Sequence, residues 1–124
     1  DDSLVRQELA SPPLAAGMDA AKRLMALEEA PTAVFCTDNT CAVGLVSHLR
    51  QMGVRIPADM EVIGFGDRVF ADLDAPALSF MERPLRRMAH VCTDQLVAWL
   101  DGKEPFKPCR IEFAERLVKQ GTTR

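Results

Sequence analysis

The chain has 124 residues, of which 48% are hydrophobic and 27% charged, and its formal net charge is −3. That balance is expected of one soluble globular domain able to bury a core. The sequence holds no apolar run of membrane-spanning length, and the lack of a basic run argues against direct nucleic-acid binding by these residues. The acidic start, Asp1-Asp2, is unlike a signal peptide, so a cytoplasmic location is expected.

Leu4 to Leu9 has the character of a short strand, and Arg6 and Glu8 suit it to a sheet edge. Ser11 followed by Pro12 and Pro13 predicts a helix opening, because Ser can cap free amides while Pro has none to satisfy and presets φ. Gly17, Ala20, Ala21, Leu24 and Met25 give that helix a small-residue face expected to pack closely on a sheet, and the helix is expected to run to Glu28 before Pro31. Ala33 to Cys36 reads as a short buried strand and Glu61 to Phe65 as a second. Between them Ala42, Leu45, Val46 and Leu49 fall at i, i+3, i+4 and i+7, one face of a helix. A strand, crossover helix and strand form a right-handed βαβ unit. This puts Thr37-Asp38-Asn39 and Gly64 to Asp67 on the same carboxyl edge of the sheet, where open parallel sheets bind ligands.

Arg68 to Pro76 has no clear period and reads as a loop or short helix. Ala77 to Met81 is apolar enough for a third parallel strand. Pro84 opens the longest amphipathic helix, with Leu85, Met88, Ala89, Cys92, Leu96, Trp99 and Leu100 on one face and Gly102 as its stop. Cys109 to Phe113 alternates like a half-buried strand, Arg116 to Lys119 reads as a last strand, and Gly121-Thr122-Thr123 as a frayed tail.

The four cysteines, Cys36, Cys41, Cys92 and Cys109, lack C-x-x-C or C-x-x-H spacing, so buried free thiols are expected and neither metal nor cofactor is assigned. Asp72 and Asp74 have no third ligand nearby. His48 lies off the core face of its helix and His90 off the apolar face of the long one. An enzyme using Cys36 or Cys41 as nucleophile would need a histidine within reach, and the helix phase turns His48 away. No catalytic residue is therefore assigned.

The ordered succession of Pro31-Thr32-Ala33-Val34-Phe35, Ala42-Val43-Gly44, Gly53 to Asp59, Val62-Ile63-Gly64-Phe65 and a closing Leu117-Val118-Lys119 with Gly121-Thr122-Thr123 resembles the C-terminal half of lactose-repressor/galactose-repressor (LacI/GalR) type bacterial transcription regulators. The match covers nearly the whole chain. The Gly64-Phe65-Gly66-Asp67 form looks like the branch that responds to gluconate and related sugar acids. The resemblance implies an α/β fold of the periplasmic-binding-protein-like type (type I): a parallel sheet flanked by helices, as the C-terminal portion of a two-lobe effector-binding domain. A separate helix-turn-helix domain would read operator DNA. Residues 1–82 would belong to the C-terminal lobe, and residues 83–116 would be a crossover helix and strand packing on the N-terminal lobe. Residues 117–124 would be a return strand and tail. The chain is then expected to be a piece of a longer regulator whose Leu85–Leu100 face stays exposed unless a second copy covers it.

The same resemblance implies an effector-binding set of Asp38, Gly66, Asp67 and Arg83. Asp38 stands where the family commonly carries an effector-contacting Asn, and a carboxylate there can accept two sugar hydroxyls. It could equally be the cap of the following helix. Gly66 replaces an Asp found in many sugar-responsive relatives, which removes repulsion toward an acidic ligand; a tight turn at φ > 0 is the competing role. Arg83 could hold a carboxylate bidentately or be a solvated surface residue. Family dimers would pair through Pro13 to Met18 and Thr40 to Met52, with Val43, Val46, Ser47 and Arg50 as interface candidates, although Val43 could instead be an edge of the buried stripe. The implied function is allosteric control of DNA binding by a sugar or sugar acid. The alternative, a transport-associated sugar-binding protein of the same fold, is disfavoured by the free cysteines and the acidic start.

Overall fold

A computed structural model describes residues 12–66, 77–103, 105 and 107–124. The expected Leu4–Leu9 strand, Ser11, Asp67 and the Arg68–Pro76 segment with Asp72 and Asp74 lie outside the described residues. The element order is α1 (Pro13–Met25), β1 (Ala33–Phe35), α2 (Asn39–Gln51), β2 (Glu61–Gly66), β3 (Ser79–Glu82), α3 (Leu85–Leu100) and β4 (Arg116–Val118).

The four strands form one sheet in the order β1-β2-β3-β4. β1 pairs parallel to β2 with Val34 opposite Val62, and β2 parallel to β3 with Gly64 opposite Phe80. β4 instead runs antiparallel to β3, with Val118 opposite Phe80 and Arg116 opposite Glu82. The sheet is therefore parallel in its first three strands and mixed through the last, whose direction the sequence reading left open. That direction follows from the path of the chain: it leaves β3 after Glu82 and re-enters the sheet at Arg116, beside that same end. The Arg116 guanidinium closes the pair on the Glu82 carboxylate at 2.6 Å.

One face of the sheet is covered. Val62, Leu78 and Phe80 pack under α2 through Ala42, Leu45, Val46 and Leu49, and Ala21 of α1 completes the cluster. The two helices meet almost backbone to backbone. A Cβ on Gly17 would lie 2.0 Å from the Cys41 carbonyl oxygen, and one on Gly44 would lie 2.1 Å from that of Leu14. The small-residue face read in the sequence packs closely as expected, but against α2 and not directly on the sheet, because Gly17 meets the α2 backbone. α1 stops at Met25, short of Glu28, and the Ala26 N–H continues the turn to the Lys22 carbonyl. α2 ends where Gly53, at φ +82°, takes a left-handed conformation that side chains avoid. On the opposite sheet face Phe35 and Leu117 remain 55% and 51% exposed.

Two expectations about the C-terminal third fail. Cys109 to Phe113 forms no strand; residues 107–115 lie beside α3, where the Gln95 Nε2–H donates to Cys109 Sγ at 3.4 Å and Arg87 stands 5.9 Å over the Phe113 ring. An alternating pattern makes a strand only beside another strand, and among the described residues none is adjacent. The supposed frayed tail is instead anchored. Thr122 is fully buried in the fork where β2 and β3 begin. Its hydroxyl donates to the Val62 carbonyl at 2.6 Å and accepts from the Ser79 N–H at 2.8 Å, while its backbone carbonyl accepts from the Val62 N–H at 3.0 Å. Tail composition does not reveal such pairing.

α3 has no buried residue. Leu85, Leu96, Val97, Trp99 and Leu100 are all exposed, Leu100 at 70%.

Candidate functional site

The parallel strands β1 and β2 bring their carboxyl ends together with that of β3, and this edge holds most of the residues singled out in the sequence. Asp38 follows β1 and is the N-cap of α2: its extended backbone (φ −147°, ψ 134°) turns the side chain back to accept the Cys41 N–H at 2.9 Å. Of the two roles left open for Asp38, capping is the one its geometry displays.

Asn39, the next residue, is the buried polar residue of the edge, at 3% exposure. Its amide lies on a bed made by two glycines. A Cβ on Gly64 would come 2.3 Å from Asn39 Oδ1, and one on Gly66 would come 3.1 Å from Nδ2. Gly66 also has φ +154°, which side chains rarely adopt. The signal was present in the sequence as Gly64-Phe65-Gly66: glycines two apart on one strand leave a groove on one face, while Phe65 points to the other.

On that other face Arg83 and Phe65 meet. The Arg83 guanidinium stands 5.2 Å over the Phe65 ring, and Phe35 meets Phe65 edge-on at 6.3 Å between centroids. The Arg83 N–H donates to the Gly66 carbonyl at 3.3 Å, so the predicted pair Gly66 and Arg83 is joined through the backbone. Asp38 and Gly66 share the edge through the adjacent Asn39. Asp67 lies outside the described residues.

The thiols of Cys36 and Cys41 hydrogen-bond one another beside Asp38. Cys36 is held well above the usual thiol range, first by this bond and then by burial. The same bond lowers Cys41 to about 7, against opposing contributions from its own partial burial and from the Asp38 charge. The expectation of four buried thiols is corrected: Cys36 is buried and Cys41 half-buried, while Cys92 and Cys109 are exposed, because α3 and residues 107–115 do not join the core. Among the described residues no group of three metal-ligating side chains converges, and no helix is long and apolar enough to cross a membrane.

The interface candidates separate. Val46 is buried in the chain's own core at 4% exposure, which takes its side chain out of reach of a second copy. Val43 packs against that core as a partly buried residue, Ser47 is half-buried and Arg50 is exposed. A further concave space of about 720 Å³ lies away from the strand edge, between α3 and residues 105 and 107–109, lined by Cys92, Leu96, Trp99 and Pro108 among others.

A mainly parallel sheet with α1 and α2 on one face and a polar, glycine-cut carboxyl edge defines an α/β protein of the open-sheet kind. Residues 3–123 match the family described as periplasmic binding protein-like domain, and the chain belongs to that family. Within it, the chain corresponds to part of the effector-binding domain of LacI/GalR-type regulators. It is 40% identical over 105 residues to the HTH-type transcriptional repressor PurR of Vibrio cholerae, covering 85% of this chain and 31% of the repressor. It is 32% identical over 108 residues to the "Probable HTH-type transcriptional repressor ExuR" of Bacillus subtilis, with 87% and 32% covered. Among solved structures it is similar to the transcription regulator CcpA of Lactococcus lactis (TM-score 0.85, 25% identity, 100% of this chain and 44% of that one). It is also similar to a LacI family regulator from Arthrobacter sp. in complex with lactose (TM-score 0.78, 28% identity, 92% and 42%). The chain spans about a third of the length of the curated relatives it matches.

Proposed function

We propose that the chain is the effector-sensing part of a LacI-type transcriptional regulator, that it acts in the cytoplasm, and that it performs no catalysis. A small sugar or sugar acid would bind at the carboxyl edge of the strands, and differential contact with two lobe arrangements would shift the DNA affinity of a separate helix-turn-helix domain. The observation that carries this reading is the edge itself, where Asp38, the glycine-bedded Asn39 and Gly66-Arg83 sit together in a chain whose relatives are repressors. Those relatives favour the regulator over the transport alternative.

Several finer assignments belong to the same reading. Asp38, Gly66, Asp67 and Arg83 form one wall of the effector cleft, with Arg83 exchanging its stacking on Phe65 for a ligand carboxylate. Residues 1–82 belong to the C-terminal lobe, residues 83–116 cross to pack on the other lobe, and residues 117–124 return. A homodimer would use the α1–α2 surface around Val43, Ser47 and Arg50.

Calorimetry on the full-length regulator tests the effector assignment, with gluconate-like acids set against neutral sugars. Preference for the acids, reduced at least tenfold by Arg83→Ala, is expected. Equal affinity for both classes, unchanged by Arg83→Ala, would remove Arg83 from the site.

A further inference from the structure

We infer that Cys36 and Cys41 form a reversible dithiol–disulfide modification site whose oxidant is a hydroperoxide. Cys36 closes β1, its N–H donating to the Ile63 carbonyl at 2.8 Å, and Cys41 is the third residue of α2. Their side chains meet across the turn that carries Asp38. The two are not equivalent: Cys36 is buried, whereas Cys41 is half-exposed at a helix N-terminus, whose partial positive charge favours a thiolate. The hydrogen bond from Cys36 adds to that preference. Cys41 is therefore the sulfur that reacts first and Cys36 the one that resolves. The packing of Gly17 against the Cys41 carbonyl keeps this residue's backbone in place.

The chemistry balances with one peroxide. The Cys41 thiolate attacks the terminal peroxide oxygen, the O–O bond breaks, and the departing oxygen takes a proton to leave as water or an alcohol. Cys41 is then a sulfenic acid. The Cys36 sulfur attacks the Cys41 sulfur, an S–S bond forms as the S–O bond breaks, and the hydroxide leaves as water with the Cys36 proton. Two thiols are oxidised and one peroxide is reduced. The product staples the end of β1 to the first turn of α2 and fixes the Asp38 turn between them.

Two readouts test the site on the intact chain. In the reduced protein at pH 7, lowering a thiol from 9.0 to about 7 raises its thiolate fraction from about 1% to about half; after the lower nucleophilicity of the more acidic sulfur, iodoacetamide should label Cys41 about fivefold faster than an ordinary exposed thiol. Cys41 should thus be alkylated before the more exposed Cys92 and Cys109. With one equivalent of hydrogen peroxide, peptide mapping should find Cys36 linked to Cys41, reversed by dithiothreitol and abolished in Cys41→Ser. In Cys36→Ala the oxidation should stop at a Cys41 sulfenic acid trapped by dimedone. Labelling of Cys92 and Cys109 ahead of Cys41, or oxidation of Cys41 to a sulfinic acid with no cross-link in the unsubstituted chain, would overturn the inference. Both readouts on the unsubstituted chain decide it even where Cys36→Ala fails to fold.

Discussion

α2 and α3 are both amphipathic helices, yet one is the centre of the core and the other buries no residue. α2 places Ala42, Leu45, Val46 and Leu49 on the sheet and receives α1 across Gly44. α3 carries a longer apolar stripe, from Leu85 to Leu100, and leaves it in solvent. A hydrophobic period therefore reports that a face is meant to be covered, without saying by what. For α2 the cover is local, because β1 and β2 are adjoining elements of one βαβ unit. For α3 no element among the described residues supplies it.

This contrast can be broken most directly by truncating one large residue on each side. Phe80→Ala in the core should cost about 3–5 kcal/mol in urea unfolding, whereas Trp99→Ala on α3 should stay within about 0.5 kcal/mol. A loss at Trp99 comparable to that at Phe80 would mean that α3 is covered in solution. Next in size is Gly44→Ala, which forces the Leu14 backbone away and should cost about 1–3 kcal/mol by the same measurement; insertion of the same methyl at Gly102, where nothing lies within 4 Å, strains only a turn at φ +66°. Thr122→Val keeps the shape of the side chain but leaves the Ser79 N–H and Val62 carbonyl without the hydroxyl. A loss of about 2 kcal/mol is expected, and no loss would show that water replaces it.

The smallest effect sharpens the contrast at an exposed site. The Arg55 guanidinium and backbone N–H hold the Asp59 carboxyl at about 2, below its ordinary 3.8. The folded-state value is depressed, so the contribution is complete above 3.8 and is lost as pH falls through about 2. An NMR titration of the Asp59 carboxyl should show that midpoint, and Arg55→Ala should move it toward 3.8.

What was legible in the sequence follows the same division. Ala42, Leu45, Val46 and Leu49 declared the buried helix face, and the apolar runs around Val34 and Val62 declared their strands, because these interactions are near in sequence and periodic. The direction of β4 was not legible, since it depends on which end of the sheet the chain re-enters after thirty-odd residues of α3 and loop. Thr122 was misread for a related reason: its partners, Val62 and Ser79, are distant along the chain, and a Gly-Thr-Thr stretch is composed like a loose end. At the candidate site, the strand edge and Asp38 were found by position. The division of labour was found only in three dimensions, with Asp38 capping and Asn39 buried, because the glycine bed is a property of two strand residues seen together.

The Gly17–Gly44 crossing also carries a mechanical meaning. Side chains between helices act as a compressible layer that can absorb a shift by changing rotamer. Here the Cys41 carbonyl abuts Gly17 and the Leu14 carbonyl abuts Gly44, so no such layer intervenes. A displacement imposed on the turn after β1 must pass undamped from the start of α2 into the start of α1. The two helices respond as a single stiff plate.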